Sequence, residues 1–147
     1  MKRMIGLILA VAVAGVLTIA TAASSAPSSP RRGILHLTKE CSQYTGAAGS
    51  FCTVTASNLD AIPVGTKDVA VDAANADGSL DTDIVFYTRG HNMAFGHVVI
   101  AAPPAEVGRV TFSGGTGQFR TFRAKLVLRC PLTGVTCTLD GPYSFGE

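Results

Sequence analysis

Residues 107–129 read VGRVTFSGGTGQFRTFRAKLVLR, and their pattern decides the fold. Before the glycines, Val110 and Phe112 alternate with Arg109, Thr111 and Ser113. After them, Phe122, Ala124, Leu126 and Leu128 alternate with Thr121, Arg123, Lys125 and Arg129. A period of two puts each apolar set on one face of a strand. Gly114, Gly115 and Gly117 supply residues that take positive φ without strain, as a tight hairpin needs. The stretch lacks the Gly-Lys-Ser/Thr ending and the following helix of a phosphate cradle.

Outward from there the same grammar repeats. Clusters of Gly, Pro, Asn and Asp break the chain at short intervals. Candidate strands cover 34–40, 51–56, 66–73, 80–88, 93–102, 107–113, 118–129 and 135–145. No helical period interrupts them. Eight consecutive antiparallel strands can close by pairing the last with the first, which removes both sheet edges. The expected fold is therefore all-β, an eight-stranded antiparallel up-and-down β-barrel, with a sandwich as the alternative. Leu35 and Leu37 are expected to face inward on the first strand. Val69 and Val71 are expected inward on the third, opposite Asp68, Ala70 and Asp72.

The chain opens with Met1-Lys2-Arg3, an uncharged apolar run to Ala20, and the small residues Thr21 to Ala26. These are the parts of a secretory signal peptide, with cleavage expected after Ala22 or Ala26. Residues 1–26 read as the signal peptide, 27–33 as a flexible lead-in and 34–147 as the barrel. The expected location is extracellular, with no membrane contact after cleavage. Losing Lys2 and Arg3 leaves 10 Lys/Arg against 10 Asp/Glu. A chain without a cationic surplus is not expected to bind nucleic acid, because it cannot displace counterions from a duplex.

Cys41, Cys52, Cys130 and Cys137 form an even set on an oxidising route, so paired disulfides are expected. Three connectivities are possible. In a barrel all four cysteines lie on one rim, which suits the local pairs without excluding cross pairs. There is no C-x-x-C motif, and His36, His91 and His97 lack zinc spacing, so neither a metal nor another cofactor is expected.

The segment Phe112-Ser113-Gly114-Gly115-Thr116-Gly117-Gln118-Phe119 resembles the turn between late strands in the dirigent and allene oxide cyclase superfamily, with Gln118 where a basic residue is usual. Residues 50–55 (SFCTVT), 94–97 (AFGH) and 140–145 (DGPYSF) are similar to bacterial secreted members. The resemblance implies an eight-stranded barrel with an apolar cavity, trimeric in plant relatives. It also implies two kinds of chemistry: steering of phenoxy-radical coupling, and closure of an epoxide to a cyclopentenone. The polar interior residues that serve those reactions have no positional match here.

Candidate chemistry is sparse. If its face of the fifth strand points inward, His97 places a titratable imidazole in an apolar pocket. Asp83 and Tyr87 would then converge on it from the adjacent strand. An acid, a phenol and an imidazole could hold a polar ligand group or move a proton. Arg109, Arg120, Arg123 and Arg129 are expected on the outer wall or rim, paired with Asp68, Asp72 or other acids. No G-x-S-x-G appears, and Asp81 and Asp83 share one strand, so neither a serine hydrolase nor a glycosidase is indicated. Three functions remain. The first is a binding module for a small, mainly apolar molecule, held by His97, Tyr87 and Asp83. The second is a cofactor-free steering enzyme. The third is a structural barrel that associates through its outer wall, where Val98 and Ile100 would favour a homo-trimer.

Overall fold

The computed structural model of the chain describes residues 31–146. The expected signal peptide, residues 1–26, and residues 27–30 of the expected lead-in lie outside the described residues. β-Branched and aromatic residues alternating with polar ones fit a half-buried pleated surface. They form β1 (Arg32–Glu40), β2 (Phe51–Ser57), β3 (Lys67–Ala70), β4 (Leu80–Tyr87), β5 (Met93–Ile100), β6 (Val107–Gly115), β7 (Phe122–Arg129) and β8 (Thr136–Phe145). Each strand pairs antiparallel with the next, and the sheet is a closed barrel. β8 seals it against β1 from Arg32 opposite Ser144 to Glu40 opposite Thr136. The up-and-down order expected from the alternation is the one observed.

Three local expectations are corrected. β1 begins at Arg32 rather than 34, because the long β8 offers backbone partners to Arg32 and Gly33. β7 begins at Phe122 rather than 118, because Gly117–Phe119 forms a 3-10 turn that buries Phe119 completely. On β3 the inward face is the opposite of the one expected. Asp68 and Ala70 are buried, Val69 is half-buried, and Val71, beyond the strand end, is exposed.

The glycines of the late turn serve close approach as much as conformation. Gly117 has φ +53°, and a Cβ there would lie 1.8 Å from Asn92 Oδ1. A Cβ on Gly115 would lie 1.9 Å from the Met93 carbonyl oxygen. Between them, the Thr116 N–H donates to the Met93 carbonyl at 2.8 Å, and the Met93 N–H donates to Thr116 Oγ1 at 2.9 Å. The turn is thus seated on the backbone before β5, and a larger residue would lift it off.

The core is unevenly filled. Toward the end holding this turn, Phe86 meets Phe112 edge-on at 4.8 Å, and Phe122 packs 5.4 Å from both Phe112 and Phe119. The loop between β2 and β3 folds Leu59 and Ile62 into the same core. Aromatic rings and loop residues close that end. The opposite end carries the cysteines and stays open.

Candidate functional site

At the open end the interior forms a cavity of about 340 Å³. Its wall is apolar, built by Ile84, Val98, Ile100 and Leu128, and all four cysteines contribute to its lining. Cys41 is bonded to Cys52 and Cys130 to Cys137. The two disulfides touch, with Cys41 Sγ 3.8 Å from Cys137 Sγ. Gathering the cysteines on one rim follows from the strand order, and local pairing is the connectivity observed.

Three polar groups enter this cavity: Lys39, Asp68 and Tyr44. Lys39 continues the inward series Leu35, Leu37, Lys39 along β1. Asp68 comes inward from β3, opposite Cys52 on one side and Phe86 on the other. The Lys39 ammonium donates to Asp68 Oδ2, and their side chains are only 8% and 3% exposed. Tyr44 lies half-buried on the loop after β1. Burial first, and then the negative charge of Asp68, push its phenol above its usual value of 10.0. It therefore stays a neutral hydrogen-bond donor at physiological pH. A buried ion pair loses in desolvation much of what it gains in attraction, and an apolar pair of similar volume would often stabilise the barrel as well. Stability alone does not account for charges at this position.

The residues expected to line the interior are elsewhere. His97, Asp83 and Tyr87 all face outward, because the inward sets are Ala94, Gly96 and Val98 on β5 and Thr82, Ile84 and Phe86 on β4. Their assignment to an interior pocket is corrected. His97 and Asp83 do meet, on the outer wall. His97 Nδ1 lies 2.9 Å from Asp83 Oδ1, and Nε2 lies 2.9 Å from Asp81 Oδ1. The Asp83 hydrogen bond raises the imidazole above its usual 6.5, against the opposing effect of burial and with further help from Asp81. Tyr87 is exposed four residues further along β4 and is not part of this contact. Val98 is buried, so it cannot serve an outer interface.

The arginines are on the outer surface as expected, but not in the expected pairs. Among the described residues, Arg109, Arg120, Arg123 and Arg129 make no ion pair. Asp68 is taken by Lys39, and Asp72 exchanges hydrogen bonds with Thr82. Also among the described residues, no group of three or more His, Cys, Asp or Glu side chains is placed to hold a metal ion, and no helix is long and apolar enough to cross a membrane. Comparison with protein-family models, curated proteins and solved structures found no match to this chain. The dirigent and allene oxide cyclase resemblance therefore rests on the quoted motifs alone.

Proposed function

We propose that the cysteine-rimmed mouth binds a small, mainly apolar molecule carrying one acceptor or anionic group. The supporting observation is the ion-paired Lys39 buried in an otherwise apolar cavity. An ammonium has three donors. Asp68 accepts one, and the others are offered to a ligand. Tyr44 adds a second donor, while Ile84, Val98, Ile100 and Leu128 enclose the apolar body. The volume falls at the lower end of the range for small-molecule sites, about 300 to 1,000 Å³. The paired disulfides and the leader-like N-terminal sequence support a location outside the cytoplasm.

Calorimetry with decanoate and decanol tests the reading. Decanoate should bind more tightly to the native protein. The double variant Lys39→Met/Asp68→Leu, which leaves no buried charge behind, should lose that preference and keep decanol binding. A preference that survives the double variant, or native protein that binds neither probe, would overturn the assignment.

Steering of a reactive intermediate is the second reading, favoured because Lys39, Asp68 and Tyr44 bring acid and base into one enclosed space. Phenoxy radicals generated chemically would then couple with enantiomeric enrichment in the presence of the protein.

A further inference from the structure

A second concavity, an open groove of about 1160 Å³, lies on the half of the barrel away from the cysteine rim. It crosses the start of β1, the end of β6, the start of β7 and the end of β8. Four cations line it: Arg31, Arg32, Arg123 and Lys125. No carboxylate does so among the described residues. Strand alternation is the cause, since the aromatic core claims Phe122, Ala124 and Tyr143 and turns Arg123 and Lys125 outward.

These cations have no acidic partner among the described residues. Arg31 donates to the Gly146 carbonyl at 2.7 Å and Arg123 to the Phe122 carbonyl at 2.8 Å. Three hydroxyls, on Thr111, Ser113 and Ser144, line the same groove. Ile34 and Pro142 add exposed apolar surface between the charges. Further along β8, Asp140 faces outward and its Oδ1 accepts from His36 Nδ1 at 2.7 Å, so the basic strip ends there. Beyond the leader the chain is balanced in charge, yet this wall is not.

The arrangement selects among anions. Outward residues on one strand are about 6.6 Å apart and neighbouring strands about 4.8 Å apart. The groove can therefore meet charges spaced about one per sugar ring. Duplex DNA carries one charge per about 1.7 Å of axis, far denser than four cations can match. Guanidinium forks suit carboxylates, and the hydroxyls suit the sugar hydroxyls between them. We propose that this groove binds a linear carboxylated polysaccharide, a polyuronate.

The test is calorimetric titration with oligogalacturonate, with neutral dextran as the control. Oligogalacturonate should bind and dextran should not. The logarithm of the affinity should fall with the logarithm of salt with a slope approaching about −3, at roughly −0.7 per neutralised charge. Arg123→Glu/Lys125→Glu should weaken binding by about tenfold or more. Arg32→Glu, at the other edge, gives an independent reading in the same direction. Lys67→Glu, on the outer wall at β3, should leave binding unchanged, as should Lys39→Met/Asp68→Leu in the barrel mouth. The proposal is overturned if oligogalacturonate fails to bind, or if the groove variants bind it as the native protein does. It is also overturned if duplex DNA or an acidic protein, including a second copy of this chain, binds the groove more tightly at the same salt.

Discussion

Replacing Lys39 with Met removes one partner of a pair whose side chains are almost wholly enclosed. The Asp68 carboxylate would remain inside the barrel with its ion-pair partner gone. Breaking a buried pair from one side costs about 3–5 kcal/mol. Domains of this size are stable by about 5–15 kcal/mol. At roughly 3–6 °C per kcal/mol, the melting temperature should fall by about 9–30 °C. Lys39→Met/Asp68→Leu removes both charges, and such replacements run from neutral to about 1–4 kcal/mol stabilising. The double variant should therefore melt well above the single one. Calorimetric melts of the three proteins at pH 7 measure the difference. If Lys39→Met melts within a few degrees of the native protein at pH 7, Asp68 is not enclosed as described, and the mouth loses its defining charge.

Other changes test other parts of the molecule. NMR titration should find His97 protonating above its usual 6.5. Asp83→Asn should lower it more than Asp81→Asn, since Asp83 is the larger cause. Because the folded value is raised, the stability from this contact is complete below about 6.5 and fades as pH rises through the folded value; it is small on a wet surface. Each disulfide closes a short loop, with sequence separations of 11 and 7, so removing either pair should cost about 2.5–3 kcal/mol by loop entropy. Peptide mapping should recover Cys41 with Cys52 and Cys130 with Cys137, and a cross pair would contradict the observed connectivity. Gly115→Ala forces a methyl against the Met93 carbonyl and should cost about 1–3 kcal/mol in thermal unfolding. Gly134→Ala has room and should stay within about 0.5 kcal/mol of native.

The barrel was legible because its signal is local. Val110, Phe112, Phe122, Ala124, Leu126 and Leu128 announce their face by parity alone, and all six are buried. The cavity was less legible because its decisive contacts are not local. Parity does carry Leu35 and Leu37 on to Lys39, but a lysine at a strand end ordinarily reads as rim. Asp68 sits among Val69, Ala70 and Val71, whose alternation favours the opposite phase. That phase is reversed by an ion pair with a residue 29 positions away, which no local pattern reports. On β4 both faces are partly apolar. The choice is made by Phe86 stacking on Phe112 across the core, and it sends Asp83 and Tyr87 outside. His97 follows, since β5 must turn Gly96 toward Phe112, where a Cβ would come within 3.0 Å of the ring.

The same facts explain how a small barrel can hold an enclosed charge and an unfilled end. A cavity forfeits packing, and a desolvated ion pair returns little net stability. Both losses fall at the cysteine rim, while the aromatic end concentrates the burial. The rim itself is held by covalent bonds. Cys41–Cys52 ties β1 to β2, Cys130–Cys137 ties β7 to β8, and β8 is hydrogen-bonded to β1. Four consecutive strands are therefore linked beside Lys39, so the wall cannot fold inward to fill the space. The disulfides thus brace the rim beside Lys39, where the proposed ligand would enter.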